Sequence, residues 1–228
     1  MDMELPEIVS REEWLVARKR LLAEEKEFTK RRDELNAKRR RLPMVEVYQE
    51  YVFEGPAGQL KLVDLFEGRR QLVVYHFMFQ PDWDAGCPNC TWFAEDIGRL
   101  KGLHELTTTF VAVSRAPYEK LAAFKEKMGW TFPWYSSAGS TFNYDYHVTL
   151  DESVVPLSYN YRTKAEWDAL PTGSLVQGAQ PFDLHGLSCF LRVDDDVHHT
   201  YSTYGRGCDS MGFTTNVVDL TALGRQGT

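Results

Sequence analysis

Residues Arg70 to Cys90 read RQLVVYHFMFQPDWDAGCPNC, and most of the predicted architecture follows from them. The first part, Arg70–Phe79, is a nearly continuous apolar run with β-branched and aromatic side chains, which predicts a strand buried on both faces. The turn residues of PDWDAG then interrupt the run. Because proline is tolerated in the first turn of a helix, we predict a helix from Pro88 to about Leu103 that begins at the cysteine motif.

The alternation of strand and helix continues after this stretch. Thr107–Ser114 predicts a second buried strand, and Pro117 opens a helix that Gly129 ends. Strands that alternate with helices pair in parallel through right-handed crossovers, which indicates an α/β layer architecture. Farther along, Ser188–Val193 and Val197–Tyr204 flank a run of aspartates and predict an antiparallel hairpin.

The first 43 residues are predicted to form a helical arm, separate from a domain over residues 44–228. Ser10 can cap a helix with Glu13, and neither Gly nor Pro follows until Pro43. A single apolar stripe recurs every seven residues: Trp14, Leu21, Phe28, Leu35 and Leu42. The stripe needs a surface, which is either its own domain or a second copy of the chain. Because a helix of this length spans about 50 Å, we expect a homodimer through it.

Two further segments of the 44–228 domain are distinctive. Residues 44–53 alternate and are followed by turn residues and a short apolar run at 60–62, which predicts a hairpin. Residues 151–187 have no strong periodicity and contain several Pro and Gly. An irregular insertion of this length is more often a functional covering segment than a silent connection.

Composition and charge exclude several classes of protein. Hydrophobic residues make up 43% of the 228-residue chain, which is typical of a globular protein. The N-terminus lacks the basic and apolar regions of a secretory signal, and no apolar run is long enough to span a membrane, so we expect a cytoplasmic protein without a membrane partner. The net charge is −7, and the arm is basic beside an acidic body. Since no aromatic-rich basic patch accompanies the arm, we expect no nucleic-acid partner.

The motif Cys87-Pro88-Asn89-Cys90 carries the chemistry. Four cysteines are too few for a disulfide scaffold in a chain this long, whereas a close pair in a reducing compartment is more often redox-active or metal-binding. At a helix start, free backbone N–H groups and the helix dipole favour a thiolate, so Cys87 is predicted to attack a disulfide and Cys90 to resolve the product. Asp82 and Asp84 oppose a nearby negative charge, which leaves the direction of the pKa shift open.

The sequence resembles an uncharacterised bacterial thioredoxin-like family, a domain-of-unknown-function family. The resemblance covers nearly the whole chain and is carried by HFMFQPDWDAGCPNC, VAVSRAPYEKLAAFKEKMGWTFPWYSS, FNYDY and HTYSTYGRG. The sequence is also distantly similar to peroxiredoxins, although Asp84 stands where peroxiredoxins have a threonine. The resemblance implies a thioredoxin-like fold, in which helices flank a central mixed sheet, and a thiol-disulfide oxidoreductase of unknown substrate. Thioredoxins place a cis-proline before the strand that we assign to Ser188–Val193, and His185 is in that region here.

Several side chains are predicted to surround the cysteines. Ligands of open α/β sheets collect at the carboxyl ends of the strands, which places Ser114 and Arg115 near the site. Arg115 is either a thiolate or anion partner or a surface salt-bridge residue. Trp83 precedes the motif and can form an aromatic wall, and His185 is the fourth candidate for substrate binding.

A metal-binding protein is the alternative function. Two thiolates and one imidazole form a soft site suited to Cu(I), so Cys87, Cys90 and His185 are the candidate ligands for copper. The dithiol hypothesis requires no cofactor. A third hypothesis is a binding module that uses residues 151–187 for recognition.

Overall fold

The computed structural model describes residues 5–171 and 179–225. Its helices are α1 Arg11–Arg39, α2 Pro88–Glu95, α3 Lys101–Glu105, α4 Tyr118–Met128, α5 Phe142–Asp145, α6 Lys164–Asp168 and α7 Phe213–Val218. Its strands are β1 Val45–Glu46, β2 Val52–Gly55, β3 Gly58–Lys61, β4 Gln71–His76, β5 Thr108–Ser114, β6 Trp134–Ser136, β7 Thr149–Leu150, β8 Ser158–Tyr159, β9 Arg162–Thr163, β10 Phe182–Asp183, β11 Gly186–Val193 and β12 Asp196–Tyr204. Short 3-10 helices cover Leu62–Phe66 and Gly205–Met211.

The central sheet is mixed and has the strand order β1-β12-β11-β4-β5-β6-β2-β3. Strands β4, β5 and β6 are parallel, whereas β11 is antiparallel to β4 and β12 is antiparallel to β11. The helix that carries the cysteine motif follows the central strand β4. This is the topology of the thioredoxin fold, so the predicted fold class is confirmed, together with the long N-terminal helix.

Three predicted elements have different boundaries in the structure. The strand predicted over Arg70–Phe79 ends at His76, although the N–H of Phe77 still donates to the carbonyl of Val113. The helix predicted from Pro88 to Leu103 is divided into α2 and α3, and Gly98, a poor helix former, lies in the interruption.

The predicted hairpin is shorter, because β2 pairs with β3 while β1 pairs with β12 at the opposite edge of the sheet.

The two faces of β4 contribute to different parts of the core. Leu72 and Val74 pack in one hydrophobic cluster with residues of β2, β5 and α5. Tyr75 belongs to the other cluster, which contains Cys90 and Ala94 of α2. Since successive side chains of a strand point to opposite faces, this alternation determines which residues of β4 can reach the cysteine motif.

The chain divides into two compact units, one formed by the residues up to Pro43 with those from Phe213 onward, and the other by Met44–Gly212. In the first unit, α1 begins with a capping box: the Glu13 N–H donates to Ser10 Oγ at 3.2 Å, and the Glu13 carboxylate accepts from the Ser10 N–H at 2.9 Å. No residue of α1 is buried, and four residues of the heptad stripe lie within it: Trp14, Leu21, Phe28 and Leu35. Within the described residues, no helix has the length and apolarity required to cross a bilayer.

The segment predicted as an irregular insertion, 151–187, contains short elements in its described part. Strands β8 and β9 form a small sheet, and α6 begins with a capping box between Thr163 and Glu166. A separate hydrophobic cluster includes Leu157 and Tyr159, and Trp167 packs against it. Residues 172–178 of this prediction lie outside the described residues.

Candidate dithiol site

Cys87 is the N-cap residue of α2, and Pro88 occupies the first helical position. The loop after β4 folds back on itself, because the Cys87 N–H donates to the Met78 carbonyl at 2.9 Å. Gly86 permits this close approach, since a Cβ atom there would lie 2.6 Å from the Phe77 ring. Local sequence therefore sets the first sulfur at the exposed end of a helix beside the central strand.

The Cys87 side chain is partly exposed, and the pKa of its thiol is lowered to about 6. The main cause is a hydrogen bond from the Cys90 thiol, and the backbone N–H groups of Cys90 and Asn89 add to it. Burial opposes the shift. Hydrogen bonds within the motif thus set the direction that the sequence left open, which is toward the thiolate form of Cys87.

Cys90 has the opposite environment. Its side chain is buried, and its pKa is raised well above the usual value, first because its thiol donates to Cys87 and second because of burial. The hydroxyl of Tyr75 and the N–H of Met78 donate hydrogen bonds to the Cys90 sulfur and partly offset this effect. The pair is therefore asymmetric, with a partly exposed thiolate beside a buried thiol.

Ser114 is the last residue of β5 and Arg115 follows it, and both side chains are engaged by the protein. Ser114 is fully buried, and its hydroxyl donates to the Phe77 carbonyl at 2.7 Å and accepts from the indole of Trp134 at 3.0 Å. It thereby holds the chain segment that leads to the motif, out of reach of a substrate.

The Arg115 Nε atom lies 2.8 Å from Asp183 Oδ1, in an ion pair whose side chains are 11% and 3% exposed. Thr149 Oγ1 donates to the same carboxylate oxygen at 2.7 Å. The ion pair is buried, whereas the salt bridge considered from the sequence was a surface one. It joins the end of β5 to β10, so it fixes the end of the 151–187 segment next to the sheet.

Trp83 is partly buried and packs against the same hydrophobic cluster as Cys87. The Lys120 ammonium group donates to the Trp83 carbonyl at 2.8 Å and so ties this loop to α4. Trp83 and Cys87 therefore share one hydrophobic cluster.

His185 precedes β11, and its Nε2 atom lies 3.3 Å from the Gly205 carbonyl oxygen. Burial is the main cause that lowers the pKa of its imidazole. Among the residues that the structure describes, no three His, Cys, Asp or Glu side chains form a group that could hold a metal ion. Cys87, Cys90 and His185 thus do not fit the copper site considered from the sequence.

Sequence reasoning did not find Tyr75. It lies inside an apolar strand twelve positions before Cys87, where an aromatic residue is typical of a core. The available signal was the alternation of β4, which places Tyr75 on the face that the helix after the strand must cover.

The fold and the motif define a thioredoxin-fold protein with a dithiol at the start of the helix that follows the central strand. The chain belongs to the DUF899 family, described as bacterial proteins of unknown function, whose model matches residues 3–228. No curated protein matches the sequence.

Similar solved structures are peroxiredoxins. Peroxidoxin BcpB from Mycobacterium tuberculosis has 17% identity, and the match covers 78% of this chain and 96% of that one with a TM-score of 0.47. A mutant of PrxQ from Xylella fastidiosa has 11% identity, with 75% and 89% of the two chains covered and a TM-score of 0.43.

Proposed function

We propose that this protein is a thiol-disulfide oxidoreductase in which Cys87 attacks a disulfide and Cys90 resolves the intermediate. The observation that carries this proposal is the asymmetry of the two sulfurs. Cys87 is partly exposed with a pKa lowered to about 6, while Cys90 is buried with a raised pKa and donates its proton toward Cys87. A low-pKa sulfur that solvent can reach is suited to attack, and a protected thiol one turn later is suited to resolution.

The reaction has two exchange steps. The Cys87 thiolate attacks one sulfur of the substrate disulfide, so a Cys87–substrate disulfide forms and the other substrate sulfur leaves as a thiolate. Cys90 then attacks the Cys87 sulfur, which forms the Cys87–Cys90 disulfide and breaks the bond to the substrate. The proton of Cys90 ends on the departing thiol, so the substrate is reduced by two electrons and the protein is oxidised by two.

The surface around Cys87 indicates where a substrate would contact the protein. Trp83 borders the same hydrophobic cluster as Cys87 and is partly exposed, so we assign it to substrate contact. We assign Arg115 and His185 an indirect role, since each is held by a hydrogen bond within the protein. The substrate class is any disulfide or thiol partner that can approach the surface around Cys87.

The test is a comparison of disulfide reduction by the wild type and by serine variants. Cys87→Ser is expected to abolish reduction of a small aromatic disulfide, and Cys90→Ser is expected to stop at a mixed disulfide that mass spectrometry detects on Cys87. Cys189→Ser is the control, because burial raises the pKa of that thiol to about 11 and it lies outside the cluster that contains Cys90. Equal reduction rates for the wild type, Cys87→Ser and Cys90→Ser would overturn the proposal.

A further inference from the structure

The loop of residues 79–86 lies between β4 and the dithiol and is closed at its base. The Cys87 N–H donates to the Met78 carbonyl at 2.9 Å, so the residues on either side of the loop are hydrogen-bonded to each other. The Ala116 N–H donates to the Phe79 carbonyl at 2.9 Å and holds the start of the loop next to the end of β5. Backbone hydrogen bonds therefore fix both ends of this loop.

The outer part of the loop is held by a lysine of α4. The Lys120 ammonium group donates to the Pro81 carbonyl at 2.8 Å and to the Trp83 carbonyl at 2.8 Å. Within the loop, the Trp83 N–H donates to the Gln80 carbonyl at 3.2 Å, which is the hydrogen bond of a four-residue turn. One ammonium group thus fixes the backbone on both sides of Asp82.

The position of Lys120 gives no advantage to its own helix. Because α4 begins at Tyr118, Lys120 lies in the first turn, where the helix dipole favours acidic side chains and disfavours a cation. A cation there needs a compensating interaction, and the two carbonyl oxygens of the loop supply it. Hydrogen bonds from a charged donor are stronger than those from a neutral one. The Lys120 side chain therefore stabilises the loop and not the helix that carries it.

The partly exposed aromatic side chain of this loop is Trp83. It packs against the same hydrophobic cluster as Cys87, and the four residues that separate them in sequence span at most about 14 Å of chain. An indole binds other aromatic rings in offset-stacked or edge-to-face arrangements. The place where Trp83 offers such a contact depends on the backbone that Lys120 holds.

We propose that Lys120 is a positioning residue for substrate binding, which holds Trp83 in place and thereby gives the dithiol site a preference for disulfides that carry an aromatic ring. This inference rests on the proposed function, in which Cys87 attacks the disulfide and Trp83 contacts the substrate. Lys120 takes no part in the exchange of sulfur bonds. The substrate class that follows is a disulfide with an aromatic group near its sulfur atoms.

The test compares the attack of Cys87 on two uncharged disulfides. One is 4,4′-dithiodipyridine, which carries aromatic rings, and the other is 2-hydroxyethyl disulfide, which carries none. Mass spectrometry of acid-quenched samples gives both rates. Lys120→Met removes the donors at similar side-chain length. It is expected to slow attack on the aromatic disulfide about tenfold, because the aromatic contact is lost, and to leave attack on the aliphatic disulfide unchanged.

Two further lysine variants check the assigned cause. Lys120→Arg keeps charged donors at the end of the side chain and is expected to restore most of the rate with the aromatic disulfide. Lys127→Met is the matched control, because Lys127 is exposed and lies seven positions farther along α4, on nearly the same side of the helix. Both of its rates are expected to match the wild type.

A double-mutant cycle determines whether Lys120 acts through Trp83. Trp83→Ala is expected to slow attack on the aromatic disulfide by about the same factor as Lys120→Met, and the double variant is expected to be no slower than either. Effects that multiply in the double variant would overturn the inference. Equal slowing of both disulfides by Lys120→Met would overturn it as well, because the reactivity of Cys87 itself would then have changed.

Failure of the proposed function gives a different result. If the wild type and Cys87→Ser react with both disulfides at equal rates, the dithiol function itself is refuted. If the wild type reacts through Cys87 and Lys120→Met keeps both wild-type rates, only the role of Lys120 is refuted. Should Lys120→Met fail to fold, Lys120→Gln keeps an amide donor without the charge and must slow the aromatic disulfide alone. Wild-type rates for that variant would overturn the inference.

Discussion

His76 is the residue for which the structure makes the sharpest prediction about stability. Its imidazole is fully buried on β4, with Nε2 2.8 Å from Ser188 Oγ, and Nδ1 has no hydrogen-bond partner in the part of the chain that the structure describes. Burial is the main cause that lowers its pKa from 6.5 to about 3, and the nearby His199 adds to the shift. The folded protein therefore holds His76 neutral at a pH where the unfolded chain would protonate it.

The sign and size of the effect follow from this difference. Above pH 6.5 neither the folded nor the unfolded state binds a proton at His76, so His76 does not lower the free energy of unfolding there. As the pH falls toward 3, the unfolded state takes up the proton first, and the free energy of unfolding decreases by about 1.4 kcal/mol per pH unit. Between pH 7 and pH 4 the loss from His76 alone amounts to about 3 kcal/mol.

The assay is urea denaturation of the wild type and of His76→Gln at intervals from pH 7 to pH 4. The glutamine amide can reach Ser188 but does not titrate. The variant is expected to be less stable at pH 7, and its deficit should shrink by about 3 kcal/mol at pH 4 because only the wild type loses the contribution of His76. Leu106→Gln, at a residue that is 70% exposed, is the control and should follow the wild-type pH dependence. Parallel pH curves for the wild type and His76→Gln would refute the reasoning.

Three further predictions concern the site and the arm. Alkylation of Cys87 should have a pH midpoint near 6, and Cys90→Ala, which removes the thiol donor, should raise it; an unchanged midpoint would contradict the assigned cause. Gly86→Ala should lower the free energy of unfolding by about 1–3 kcal/mol, because its Cβ meets an aromatic ring, whereas Gly98→Ala has open space and serves as the control in thermal melts. Phe28 is 67% exposed on the stripe of α1, so we expect a homodimer in sedimentation experiments that Phe28→Glu dissociates; a wild-type monomer would exclude this interface.

The sequence by itself determined the elements whose signals are local. The apolar run from Arg70 predicts the buried strand, and Cys87-Pro88 predicts the helix start, because strand burial and helix capping depend on neighbours within a few positions. The capping pair Ser10 and Glu13 predicts the beginning of α1 in the same way. These local signals are sufficient to place the dithiol at the carboxyl end of a central strand.

Tertiary structure alone decided the environment of that dithiol. Tyr75 shares a hydrophobic cluster with Cys90 only because α2 packs on one face of β4, and Arg115 pairs with an aspartate 68 positions away. The edge strand β1 likewise pairs with β12, which lies about 150 positions farther along the chain. Hydrogen bonds, burial and the pKa shifts that they cause depend on which distant segments come into contact. Packing of the whole core determines which segments come into contact, and the local pattern of residues does not.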